Sequence, residues 1–316
     1  MDKDSYVYRG SALTHWKDLV AVHDLAGMRD LRRMRRRFDE QHAEPPLPVT
    51  SFSDLFLDAS FLSVMNKKYT LLYRGQQAQG RLKPTLFRSR WTRNDGDVSW
   101  SVPLEGDERK YYWESLPMVE RMALDVTSRH GLPRWRHFEE HAPARWAMVQ
   151  HYELWPTPML DFTTSLRVAA SFALGVSTSS QEGYVHVVCV PRVRSDIMDL
   201  ERDDDERISR VLALRLNSVC PPSARRTHLQ EGVLMARYPV LEGWPLDIDD
   251  QDFSSLVIAT FHLADNQGTF WNDDFPKHTE ESLLPSSNSD PLLKDLREAM
   301  LNRFGSVGQS GFKSDD

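Results

Sequence analysis

The chain has 316 residues, 40% of them hydrophobic and 27% charged, with a net charge of −7. That supplies a sizeable core for one large domain or a domain with an extension, and the acidic balance argues against a chain built around broad nucleic-acid binding. Two cysteines, Cys189 and Cys220, exclude a disulfide framework; with no apolar run of membrane-spanning length and no secretion-signal layout in MDKDSYVYRG, a cytoplasmic protein away from the membrane is expected.

In chain order, the first predicted element is a helix over about 18–40, with apolar positions at Leu19, Val22, Ala26, Leu31, Met34 and Phe38. It carries Arg29, Arg32, Arg33, Arg35, Arg36 and Arg37, either a solvated face of a helix packed on the main domain or a docking arm for nucleic acid or an acidic protein surface. AEPPLPV (43–49) reads as a stiff linker, which divides the chain into a helical extension (1–50), a main domain (51–304) and a mobile tail (305–316). Residues 71–88 read as a short strand ending in Tyr73, Arg74, Gly75 and Gln76, then a turn. An arginine ending an apolar strand beside a glycine is well placed to hold an anion bidentately; pairing with Asp161 in an internal salt bridge is the structural alternative.

A long helix is predicted near 108–130, with Tyr112, Leu116, Val119, Ala123 and Val126 on one face and Pro117 kinking or restarting it. HFEEH (137–141) fits a zinc-peptidase pattern, with His137 and His141 as ligands and Glu140 as base. Pro143 cuts the turn short, and no third ligand is specified, so no metal is expected. Next come Gln150, His151 and Tyr152, polar tips of a helix or site residues. Asp161, Thr163, Thr164 and Ser165 follow, before a helix whose apolar face is Leu166, Ala169, Ala170, Ala173 and Leu174. The cluster suits helix capping or an anion site. Strands are predicted at 183–190, 232–238 and 255–263, an exposed acidic loop or helix start at 196–207, and a last helix at 291–304. Helices and strands without regular alternation predict an α+β fold with a mixed or antiparallel sheet core and surrounding helices.

Taken together, Tyr73-Arg74-Gly75-Gln76 with Leu82, Pro84 and Arg88, then Gln150-His151-Tyr152, then Leu160, Asp161, Thr163, Ser165, Ala169, Phe172 and Ala173 resemble the FRG domain, a bacterial family named for its aromatic-Arg-Gly motif. Arg226, Gln230, Gly232 and the last helix resemble its later positions. Tyr8-Arg9-Gly10 repeats the tripeptide without the residues that follow it. After Tyr152 the family usually has a glycine, a Leu-Pro pair and a Thr-Arg, whereas this chain has Glu153-Leu154-Trp155-Pro156-Thr157-Pro158-Met159.

A strand-borne arginine, a hydroxyl cluster and a Gln/Glu pair opening a later strand also follow the order of ADP-ribosyltransferase sites. That similarity implies NAD as substrate. Arg74 would hold phosphate or ribose, Thr163 or Ser165 would orient it, and Asp161 would join the binding cluster. His151 or Tyr152 would contact ribose or nicotinamide, and Glu231, paired in the catalytic site with Gln230, would stabilise the positive charge that develops at the ribose. The transferase pattern wants its glutamate two residues after Gln230, where this chain has Gly232. The expectation is an ADP-ribosyltransferase or NAD glycohydrolase in a bacterial or phage-related effector. The alternatives are a non-catalytic nucleotide- or protein-binding module and, behind it, the zinc peptidase. For Gln230 and Glu231 the competing reading is a polar pair at the edge of a buried strand.

Overall fold

The structure is a computed structural model that describes residues 46–67, 69–87, 89–93, 99–103, 106–131, 135–177, 180–191, 197–200, 211–237 and 252–304. The expected basic helix, the Tyr8-Arg9-Gly10 repeat, Arg88 and the tail from Gly305 lie outside these residues. The elements begin with β1 (Leu47–Val49), α1 (Phe52–Met65), β2 (Tyr69–Gln76), the hairpin β3 (Ser89–Arg93) and β4 (Ser99–Pro103), α2 (Gly106–Ser128), α3 (Trp135–Glu140) and α4 (Ala142–His151). They continue with β5 (Met159–Thr163), α5 (Leu166–Ala173), β6 (Glu182–Pro191), β7 (Ile197–Leu200), β8 (Val211–Arg215), α6 (Leu216–Val219), α7 (Arg225–Leu229), β9 (Gly232–Arg237), β10 (Val257–Ala264), α8 (Glu280–Leu283) and α9 (Pro291–Phe304). This is a mixed α+β fold.

The chain gathers into two compact units. One takes the chain to Arg81 with Phe162–Val211 and Phe253–Leu283, and the other takes Leu82–Asp161, Leu212–Asp252 and the chain from Leu284. In the first unit the strands run β1-β10-β6-β2, and the end of β5 lies beside β2. β1 is parallel to β10 and the other pairs are antiparallel. The supposed linker therefore ends in an edge strand, where Pro48 is tolerated because an edge position can spare its missing donor.

α1 was not legible from periodicity, because its apolar residues occupy more than one face: Phe52, Leu55, Ala59 and Leu62 are buried, while Phe56, Leu57, Phe61 and Val64 are exposed. Ser51 caps it, accepting from the Asp54 amide at 3.1 Å. The Phe52 ring stacks on Trp271 with centroids 5.2 Å apart. The expected α5 face is buried, with Ala169, Ala170, Ala173 and Leu174 inside the core beside Tyr73, Val185, Val187, Phe261 and Leu263, and Leu166 packed against it.

The small residues of α5 have a reason. A Cβ placed on Gly75 would come within 1.9 Å of the Ala169 carbonyl oxygen, and one on Gly183 within 2.1 Å of the Ala173 oxygen. β2 and β6 thus meet the helix backbone to backbone, at a distance that only glycine on the strand permits.

In the second unit α2 buries Tyr112, Leu116, Val119, Ala123 and Val126 as expected, and it runs unbroken through Pro117 instead of restarting there. The Trp155 indole, fully buried, donates to the Tyr112 carbonyl at 3.0 Å. Glu120 of α2 accepts from Arg145 at 2.8 Å and from the Trp146 indole. The acidic stretch at 196–207 corrects in part: the backbone of Ile197–Leu200 is strand β7.

Gly75→Ala should fail to fold or lose more than about 3 kcal/mol of stability in denaturant titration, because the clash is with backbone that no rotamer change relieves. Gly80→Ala, which meets nothing within 4 Å, serves as the control and should stay near wild type.

Candidate functional site

In the first unit the glycine contact decides where the arginine goes. Tyr73 and Gly75 face α5, so Arg74 between them faces away from it. Register then sets Arg74 beside His186 of β6 and His186 beside Thr260 of β10, one polar row across three strands, followed by Gln76, Tyr184 and His262 in the next row on the same face. His186 is 5% exposed, and its Nδ1 lies 3.1 Å from the Thr260 hydroxyl. Burial first, and the Arg74 charge second, lower its pKa to about 4, so the ring is neutral near pH 7. Its Nε2 is buried without a hydrogen-bond partner, as is the Gln76 side-chain oxygen. The Tyr184 and His262 rings stack at 5.0 Å.

Thr163 pairs in register with Tyr73, so it takes the face opposite to Arg74. Its hydroxyl accepts the Ser165 amide at 3.0 Å, and Ser165 caps α5 by accepting from the Val168 amide at 3.4 Å. Both act in local structure, forming the turn and cap that start α5.

The second unit holds the remaining expected residues. His151, at the end of α4, sets its Nδ1 3.0 Å from an Asp161 carboxylate oxygen of β5, while its Nε2 is buried without a hydrogen-bond partner. The ring lies against β9: a Cβ on Gly232 would come within 3.0 Å of His151 Cε1. A glycine two residues after Gln230 therefore makes room for the imidazole.

Gln150 is a latch, its amide donating to Thr85 at 3.0 Å and its oxygen accepting from the Thr157 amide and hydroxyl at 3.2 and 3.1 Å. Tyr152, expected to contact ribose or nicotinamide, is fully buried and donates its hydroxyl to Asp290 at 2.9 Å. Burial, reinforced by Asp290, raises its pKa, so it remains a neutral donor. The same Asp290 oxygen accepts the Arg226 amide at 3.0 Å, and the other oxygen accepts the Leu293 amide at 3.0 Å, capping α9. Asp290 was missed from sequence, although Asp-Pro opening a helix is a legible start signal.

Arg226 is buried and pairs with Glu153 at 2.5 Å, while its Nε has no hydrogen-bond partner. Gln230 is buried at the end of α7, and Glu231 after it is exposed. Glu153 and Glu231 adopt positive φ, 55° and 48°, the region that favours glycine. Glu153 stands where the FRG pattern usually has glycine, and Glu231 is the exit residue after α7.

The zinc pattern does not sit on one helix. α3 ends at Glu140, and His141 is the extended cap residue of α4. Among the described residues no three His, Cys, Asp or Glu group to hold a metal ion, and no helix is long and apolar enough to cross a membrane.

An α+β protein whose sheet carries an aromatic-Arg-Gly strand, with Gln-His-Tyr ending a helix and a glycine-accommodated small helix after Leu-Asp, has the layout expected of the FRG resemblance. Residues 69–182 match the family model of the FRG domain, and the chain carries that domain. The match takes in β2 through the first residue of β6, so Arg226, Gln230, Gly232 and α9 lie beyond it. No curated protein and no solved structure matches the chain.

Glu153→Gly should be more stable than Glu153→Ala by about 1 kcal/mol in paired denaturation curves. Both remove the Arg226 partner, and only glycine relieves the positive φ.

His186 makes stability depend on acid. Its folded pKa of about 4 lies below the usual unfolded value, so the unfolded chain takes up the proton first and stability falls as pH drops from about 6.5 towards 4. The loss from this group is about 3 kcal/mol at most. His186→Gln, which does not titrate, should flatten the slope relative to wild type in that window.

Proposed function

We propose that the protein consumes NAD, transferring ADP-ribose to water or to an acceptor hydroxyl. The observation that carries this reading is the His151 and Asp161 pair: a carboxylate that holds Nδ1–H fixes the tautomer and leaves Nε2 as a base, and that nitrogen has no hydrogen-bond partner. In the reaction the bond between ribose C1′ and the nicotinamide nitrogen breaks, and nicotinamide leaves with the electron pair. The attacking oxygen forms the new bond to C1′, and its proton passes to His151 Nε2.

Glu231 immediately precedes the glycine that lies against the His151 ring, which suits its carboxylate to oppose the positive charge of the ribosyl transition state. Arg226, buried with an unpartnered Nε, supplies a further donor in the same unit. The effector setting implied by the FRG resemblance fits an activity that depletes NAD or modifies a target.

A second reading, a nucleotide-binding module without turnover, is favoured by the backbone at Glu231, whose exposed, positive-φ position is also that of an ordinary helix exit.

Labelled NAD separates the two. Wild type should release nicotinamide, and His151→Gln and Glu231→Gln should each slow turnover by about 100-fold or more while NAD affinity stays within a few-fold. Binding without nicotinamide release establishes the module instead, and absence of both binding and release removes NAD from either reading.

A further inference from the structure

We infer that the first unit carries a second site, on the sheet face opposite α5, that binds a phosphorylated, hydroxyl-bearing small molecule of the ribose phosphate class through Arg74, His186 and Gln76. The inference stands on juxtaposition. Three adjacent strands in fixed register place Arg74, His186 and Thr260 in one row and Gln76, Tyr184 and His262 in the next. Such a polar block is costly on a face that is otherwise buried at Leu72, Val188 and Val190.

The buried groups lack partners in a complementary way. His186 Nδ1 lies 3.1 Å from the Thr260 hydroxyl, and we assign the hydroxyl as the donor, which puts the ring proton on Nε2 and makes that nitrogen a donor at a position 5% exposed. That nitrogen has no acceptor, and the Gln76 side-chain oxygen in the neighbouring row has no donor. An anionic oxygen satisfies the His186 donor and is attracted by the charge of the neighbouring Arg74 guanidinium. A hydroxyl on the same ligand satisfies Gln76. A bare anion answers only the first need, and a neutral sugar only the second.

Around the buried His186 Nε2 and Gln76 oxygen, the residues Arg74, Gln76, Thr260, Tyr184 and His262 are half-buried. Tyr184 and His262, stacked at 5.0 Å, form an aromatic wall beside Gln76. Thr260 is a positioning residue, acting through the tautomer and orientation of His186.

The test is calorimetric titration of the full chain with ribose 5-phosphate, inorganic phosphate and ribose. Ribose 5-phosphate should bind at least about tenfold more tightly than either fragment, and Arg74→Ala should weaken it by about tenfold or more. His186→Gln and Gln76→Leu, both kept to folded samples by circular dichroism, should weaken it by several-fold. Should Arg74→Ala not fold, these two variants carry the measurement. Thr260→Val should also weaken binding, and the His186 ring nitrogens in a 15N spectrum should show a changed tautomer, which a merely structural threonine would not alter.

No binding by wild type, or equal binding by wild type, His186→Gln and Gln76→Leu, overturns the site; inorganic phosphate binding as tightly as ribose 5-phosphate overturns its ligand class. The inference does not rest on the NAD reading. Ribose 5-phosphate binding with NAD left intact keeps this site and removes that activity, and NAD turnover without ribose 5-phosphate binding does the reverse.

Discussion

The backbone approach of α5 to β2 and β6 is the constraint on which the first unit depends. With 1.9 Å between a would-be Gly75 Cβ and the Ala169 oxygen, and 2.1 Å at Gly183, neither strand tolerates a side chain there. Alanines at 169 and 173 carry the same requirement from the helix side. Because strand side chains alternate, fixing Gly75 towards the helix fixes Arg74 away from it and aligns it with His186 and Thr260. The aromatic, the arginine and the glycine of the FRG motif are thus a single geometric statement: core, opposite polar face and close approach, in successive residues.

The second unit is organised around a carboxylate. Asp290, with no exposed surface, accepts from Tyr152, from the Arg226 amide and from Leu293 at the head of α9. A buried carboxylate is tolerated because several donors meet it. Gln150 similarly joins Thr85 to Thr157. Of the three residues Gln150, His151 and Tyr152, the outer two are therefore committed to holding the frame, and only His151 retains a ring nitrogen without a hydrogen-bond partner.

Much of this frame was legible in the sequence, and the failures have identifiable causes. The faces of α2 and α5 follow a clean helical period, and both are buried as the period requires. α1 escaped because apolar residues on more than one side erase the period, and β1 because prolines are read as linker unless an edge strand is allowed. Thr163 and Ser165 illustrate the ambiguity of short hydroxyl residues, which here serve the turn and the cap. His186 was invisible for a different reason. A histidine inside an apolar strand looks like a core residue, and only the register with Arg74 and Thr260 reveals a row.

Glycine logic also explains where this chain departs from the pattern it resembles. Positive φ at residue 153 is the conformation for which the family's usual glycine is suited, yet here a glutamate adopts it. Its carboxylate pairs with the buried guanidinium of Arg226. The same residue thus strains the backbone and neutralises the arginine, two opposing effects of comparable size. Gly232, by contrast, keeps the glycine because the His151 ring occupies the space its side chain would need. A departure is tolerated where the new side chain finds a partner, and the glycine is retained where an imidazole has already taken the room.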